Sequence, residues 1–287
     1  MGENDDANEA PAPRRSIAWF IWRFLRLPVF AFLGICVLMM FLETRMVYPI
    51  PRVLSDSEAP FAEHSEEVFF ESADGTKLQG RYYPIQGEQA VILYCHANGE
   101  DAARVDPYLA YLRDTLVASV FCFNYRGYGK SEGKPHERGI VADGLAAQRW
   151  LAKQTDRKTE DIVLYGRSLG GGVAVAIAAE QGARGLILHG TFSSLPDVAA
   201  AHFRLLPVRW LMRNRYPSVE SVRNFDGPVM QFHGTDDEVI PFALGRQLFD
   251  AIPGEEKEFI EIAGGTHNEP LPEECFQEMR EFLKRLR

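Results

Sequence analysis

Four cysteines in 287 residues leave this chain without the makings of a disulfide framework. Cys36, Cys95, Cys122 and Cys275 are also too scattered for a Cys-x-x-Cys zinc site, and Cys95 and Cys122 each sit inside an apolar run, where a buried free thiol is the simplest reading. Dense runs of lysine and arginine are missing too. With a formal net charge of −9 and a pI near 5.4, the chain has no stretch suited to neutralising a row of phosphates, which argues against a nucleic-acid partner. Internal repeats and low-complexity tracts are absent. At 46% hydrophobic and 25% charged residues the composition is that of a globular protein, so disorder and coiled coil are set aside.

Very long apolar runs are scarce as well; there is one. From Leu27 to Leu42 every residue is apolar, or is a glycine or proline of the kind membrane helices tolerate. Extended back to Ile17 it takes in Arg23 and Arg26, which can snorkel toward a headgroup layer beside Trp19 and Trp22. A spanning helix needs about 20 residues, and the extended stretch supplies them. A cleaved signal peptide fits less well, because no small-x-small pattern follows in "FLETRMVYP". A lipoprotein box fails at Ile35, and Asp6 stands where a myristoylation signal wants Ser or Thr. The expectation is a polar, disordered tail over 1–15, a transmembrane anchor over 16–44 and a connector over 45–64. Arg14, Arg15, Arg23 and Arg26 precede the apolar core, against Arg45 and Arg52 after it. That bias predicts a single-pass membrane protein with a cytoplasmic N-terminus and the large domain on the opposite side.

Residues 65–287 suit one α/β domain. "EEVFFES" and "KLQGRYYP" flank the turn signal "ADGT" and predict a hairpin. "AVILYC", "ASVFCFN", "DIVLYG", "GLILHG", "PVMQFHG" and "KEFIEIA" are short apolar runs separated by stretches of helical period, such as 102–116, and a last amphipathic helix covers 272–287. Continuous apolar strands alternating with helices predict a mostly parallel sheet covered on both faces. In such sheets the loops leaving the carboxyl ends of the strands carry function.

Those loops hold the chemistry. "DIVLY" runs into Gly166-Arg167-Ser168-Leu169-Gly170, a G-x-S-x-G between a predicted strand and a predicted helix, which lifts a serine hydroxyl above the sheet at a helix N-terminus. A serine nucleophile needs a base. Of the seven histidines, His267 in "GGTHNEP" follows the last strand, and the order Ser…Asp…His is the one this motif class uses. The orienting acid then falls among Asp236, Asp237 and Glu238, at the end of "PVMQFHG". No carboxylate-and-histidine set has metal-ligand spacing, so no metal and no cofactor are expected. An oxyanion hole is expected from the backbone N–H of Leu169 and that of Asn98, next to Ala97, in the loop after "AVILYC".

Together, "CHANGE", "FNYRGYGKSEGKP", "YGRSLGGGVAVAIA", "GTFSSLPD", "HGTDDEVIP" and "GGTHNEP" resemble the α/β-hydrolase superfamily, in family order from about Val68 to the C-terminus. The chain looks most like its small single-pass membrane-anchored members, which include protein-depalmitoylating thioesterases. The resemblance implies an α/β-hydrolase fold with a short helical cap at about 191–226, nucleophile Ser168, base His267, and Asp237 as the acid four residues after His233. It implies a bracing rather than chemical role for Arg126. The implied activity is that of a carboxylesterase, thioesterase or lipase, acting on a small-molecule or lipid-like acyl ester or thioester at a membrane. Two departures stand out: Ala97 occupies a position where the family commonly has glycine, which would strain the loop at φ > 0, and Asn124 replaces the usual Asp. The cap segment mixes Phe203, Leu205, Leu206, Trp210, Leu211 and Met212 with Arg204, Arg209, Arg213 and Arg215. It reads either as an apolar cover over an acyl site or membrane, or as an amphipathic helix packed on the sheet. Two other functions compete. A serine aminopeptidase would need a group to hold a free amino terminus, and a silent scaffold would be expected to have lost one of Ser168, Asp237 and His267.

Overall fold

The structure, a computed structural model, describes residues 17–50 and 62–286. The tail expected at 1–15 and residues 51–61 of the expected connector lie outside the described residues. The chain divides into two units, 1–42 and 43–287.

Helix α1 runs Ile17–Val47 with Pro28 inside it. Among the described residues it is the helix long and apolar enough to cross a membrane, with a mean hydropathy of 2.3. Its Trp22–Val47 portion would reach about 39 Å at about 1.5 Å per residue, against about 30 Å of bilayer hydrocarbon. The sequence reading ended the anchor at residue 44 and began a connector at 45. The helix instead continues to Val47, and 43–50 belong to the second unit, with Tyr48 only 2% exposed.

In the second unit, β1 (Glu66–Glu71) and β2 (Lys77–Tyr83) form the expected hairpin, with Gly75 of its turn at φ +80. There follow β3 (Ala90–Cys95), α2 (Asp106–Leu116), β4 (Ala118–Phe123), α3 (Glu137–Gln154), β5 (Val163–Arg167), α4 (Leu169–Gln181) and β6 (Gly185–His189). Three short helices, α5 (Leu195–His202), α6 (Val208–Leu211) and α7 (Ser218–Val222), make the cap region. The chain closes with β7 (Val229–Gly234), α8 (Phe242–Ala251), β8 (Lys257–Ile262) and α9 (Glu273–Arg285). The eight strands lie in the order β1-β2-β4-β3-β5-β6-β7-β8. From β4 to β8 neighbours are parallel, and the hairpin joins antiparallel through β2.

The period of two along a strand divides the core between the two sheet faces. In β3, Val91, Leu93 and Cys95 enter the cluster covered by α3, α4 and α8. Ala90, Ile92 and Tyr94 enter the other, covered by α2 and α9. Both faces are dry, which is why these strands read as unbroken apolar runs rather than alternating ones.

The loop after β4 holds the architecture together through Arg126. Its guanidinium meets Asp143 of α3 at 2.7 Å and Asp74 of the hairpin turn at 2.9 Å. Asn124 bridges elsewhere: its carbonyl accepts from Ala102 N–H at 2.7 Å and its amide donates to Gln79 at 2.7 Å. Arg126 therefore braces three segments, its charge met by Asp143 and Asp74.

Candidate active site

At the end of β5 the chain must reverse sharply into α4, and Ser168 takes the strain at φ 53, ψ −119. A non-glycine residue there costs about 1–3 kcal/mol, so its surroundings must hold it. They do so by hydrogen bonds: Ser168 N–H donates to the His189 carbonyl at 2.9 Å, and the Thr191 hydroxyl donates to the Ser168 carbonyl at 2.9 Å. The flanking glycines admit the close approach. A Cβ on Gly166 would lie 2.3 Å from the Gly170 carbonyl oxygen, and one on Gly170 would lie 2.0 Å from that of Cys95. Helix α4 can thus start against the end of β3, with its N-terminal dipole beside the serine.

Strands β7 and β8 deliver the other two side chains. His267 Nε2 lies 3.0 Å from Ser168 Oγ, and His267 Nδ1 lies 2.7 Å from Asp237 Oδ2. All three are buried. The other oxygen of Asp237 accepts N–H bonds from Val239 at 2.9 Å and Ile240 at 2.7 Å. Burial alone would raise its pKa; the bonds from His267 and Ile240 and the facing imidazoles outweigh it and hold the carboxyl below the usual range. The two neighbouring acids point elsewhere. Asp236 is exposed, with one oxygen accepting from the Thr235 hydroxyl, and exposed Glu238 meets the backbone N–H of His267 at 3.5 Å.

The loop His96–Gly99 lies across from the serine's helix. The left-handed conformation falls on Gly99, φ +69, and Ala97 is not in that region, so the glycine-to-alanine departure brings no strain. Ala97 N–H donates to Glu100 Oε2 at 3.1 Å. Among the described residues, neither the Asn98 nor the Leu169 backbone N–H has a protein acceptor. They are unspent donors, as an oxyanion would require.

The sequence reading missed a clamp between these loops. Arg167, the first variable residue of the G-x-S-x-G, pairs with Glu100 at 2.5 Å and donates to the His267 carbonyl at 3.2 Å. It joins the serine turn to the Asn98 loop and the histidine loop. An ion pair between residues so far apart in sequence leaves no local signal; the only hint was an arginine at the buried end of an apolar strand.

His96 packs flat on Tyr125, ring centroids 3.8 Å apart, with its Nδ1 on its neighbour's carbonyl. His189 is among the residues lining a cavity of about 370 Å³, together with Asp237 and His267. Burial, then the charge of Arg167, depress the His189 pKa from 6.5 to about 3. Burial also lowers those of His96 and His233. These imidazoles fold neutral. Above pH 6.5 they cost nothing; as pH falls from 6.5 toward 3, the unfolded chain takes up protons that the folded one refuses, and stability drains away. The thermal midpoint should therefore decline from pH 7.5 to pH 4.5 in a fluorimetric melt, and His189→Gln should flatten that decline. An unchanged slope in the variant would refute the assignment to His189.

The cysteines are all free. Burial raises the thiols of Cys95 and Cys122, and pushes that of Cys275 up to about 11, so none of these three is a thiolate nucleophile at neutral pH.

The cap region leaves Leu205 and Trp210 each 89% exposed beside Arg204 and Arg209, and a hollow of about 370 Å³ lies between Phe203, Leu206, Val208 and Trp210. It is three short helices, not one amphipathic helix with its apolar face on the sheet.

Residues 86–224 match the family described as serine aminopeptidase, S33. The uncharacterized protein Rv2307c of Mycobacterium tuberculosis is 35% identical over 236 residues, covering 79% of this chain and 81% of that one. The alpha/beta hydrolase domain-containing protein aho-3 of Caenorhabditis elegans is 32% identical over 201 residues, covering 70% of this chain and 59% of that one. Among solved structures, the Pyrococcus furiosus esterase Pf2001 shares the fold with a TM-score of 0.66 at 20% identity, over 82% of this chain and 98% of its own.

Proposed function

Because the chain belongs to the α/β-hydrolase superfamily, we propose that it is a membrane-anchored serine hydrolase that cleaves carboxylic esters or thioesters through an acyl-serine intermediate. The observation that carries this reading is the relay from Ser168 Oγ to His267 at 3.0 Å and from His267 to Asp237 at 2.7 Å. His267 takes the serine proton as Ser168 attacks the acyl carbonyl, and the carboxylate of Asp237 holds the ring in the required tautomer and stabilises its cation. The unpaired N–H groups of Leu169 and Asn98 receive the oxyanion; each such donor is worth about 3 kcal/mol. His267 then returns the proton to the leaving alcohol or thiol, and water, deprotonated by the same base, releases the acid.

The apolar helix α1 supports an anchor, and the arginine bias ahead of it supports a cytoplasmic N-terminus with the catalytic unit on the other side. Exposed Leu205 and Trp210 among arginines suit a cap that faces lipid, and the hollow behind them suits an acyl chain. An aminopeptidase would need an unpaired carboxylate near the serine. Glu100, beside the oxyanion loop, is paired with Arg167, and that engagement favours an ester or thioester.

The test pairs labelling by a fluorophosphonate probe with turnover of p-nitrophenyl esters and acyl thioesters of rising chain length, set against amino-acid anilides. Labelling and a preference for acyl esters or thioesters are expected. Preference for anilides would move the protein to the peptidases, and no labelling would remove the serine-hydrolase reading.

A further inference from the structure

The apolar helix does not end in a free tether. Glu43, four residues before its end, is buried, and one carboxylate oxygen accepts three hydrogen bonds from the cap region: Arg213 N–H and Asn214 N–H at 2.8 Å, and the Asn214 side-chain amide at 2.9 Å. The Asn214 carbonyl accepts in turn from the Tyr48 hydroxyl at 2.9 Å and from Glu137 N–H at 2.9 Å. Tyr48 also meets the Tyr216 hydroxyl at 3.0 Å. Asn214, Tyr48 and Tyr216 are all nearly fully buried. Between these two anchoring points lies Val47, whose carbonyl accepts from the side-chain amide of Asn98 at 3.2 Å. Pro49 packs beside Gly99, its Cγ 3.6 Å from where a Cβ would stand.

Asn98 carries one of the two free N–H groups, so the loop that offers it is held from two sides. Inside, Glu100 fixes the Ala97 N–H and is itself fixed by Arg167. Outside, among the described residues, the side-chain amide of Asn98 donates its hydrogen bond to the carbonyl of Val47, the last residue of α1. A shift of about 1 Å in a catalytic donor can cost on the order of a hundredfold in rate, so what holds this loop matters to chemistry.

We propose that Glu43–Pro49 form a latch that positions the Asn98 N–H for the oxyanion, so that the segment leaving the apolar helix is part of the catalytic apparatus. This rests on the serine-hydrolase reading above. Glu43 and Tyr48 are positioning residues: they touch no substrate and act through Val47 and Asn98.

The test uses the full chain in detergent micelles, with kcat and KM on a p-nitrophenyl ester and inhibition by an alkylboronic acid, which adds to the serine as a tetrahedral adduct. Asn98→Ala keeps the backbone N–H and removes only the bond to Val47. Glu43→Ala removes the acceptor, and Glu43→Gln keeps an acceptor oxygen. Asn98→Ala and Glu43→Ala should lower kcat about tenfold or more with KM within about twofold, and weaken the boronic acid by the same factor. Glu43→Gln should recover most of the loss. If Glu43→Ala does not fold, Asn98→Ala, a change to an exposed side chain, decides alone. An active wild type whose Asn98→Ala variant keeps its kcat and boronic-acid affinity overturns the latch while leaving the hydrolase reading intact. A wild type with neither turnover nor inhibitor binding overturns both.

Discussion

Replacing Ser168 by alanine is expected to lower kcat by about a millionfold, with His267→Ala close to it and the double variant no worse than either. The three values coincide because the serine and histidine act as one unit: without Oγ the imidazole has no proton to take, and without the imidazole the hydroxyl stays a poor nucleophile. Substrate binding and the donors at Leu169 and Asn98 survive the change, so a residual acceleration of about a thousandfold over water should remain. KM should move little. Steady-state kinetics on purified full-length protein, with fluorophosphonate labelling to count active sites, would read this directly. Additive losses, or a Ser168→Ala variant that still turns over, would place the nucleophile elsewhere.

Asp237→Asn should cost about ten-thousandfold in kcat, while Asp236→Asn stays close to the wild type. The asparagine carbonyl can still accept from Val239 and Ile240, so the turn and the fold survive. What changes is the atom facing His267 Nδ1, 2.7 Å away. An amide turned that way presents donors to a nitrogen that must itself donate, and the ring settles in the tautomer that cannot take the serine proton. Asp236 is exposed and touches its own turn, so its charge is screened. Losses in the opposite order would move the acid by one residue.

Much of this was legible in the sequence because it is written in local pattern. Five apolar runs became β3–β7 since a strand buried on both faces has little room for polar residues, and the sixth, alternating with glutamates, became the edge strand β8. Ser168 was visible through its context, a strand before and a helix after, rather than through two glycines. The ranking of the acids needed a resemblance, since all three lie in the turn after β7, where no regular period fixes which one faces His267. Other features had no local trace. The exchange that sets β4 between β2 and β3 depends on how crossovers pack, not on either strand's composition. Glu43 fell inside the span expected for the anchor, and nothing near it in sequence announces Asn214. The warning at Ala97 was raised by comparing letters; the backbone moved the left-handed residue two places along, to Gly99.

The cap enters and leaves the domain through one narrow neck. Leu195 N–H donates to the Arg215 carbonyl at 2.9 Å and Val219 N–H to the Ser193 carbonyl at 3.1 Å, so the segment's two ends are stitched together before either reaches the sheet. A loop closed in this way at its base is a cassette: its interior can lengthen or shorten without disturbing β6 or β7. The stitching leaves one part of it unfree, since Arg213–Tyr216 also receive Glu43 and Tyr48. Variation in the cap is thus freest in the stretch before Arg213, while the remainder is tied to the residues Glu43 and Tyr48.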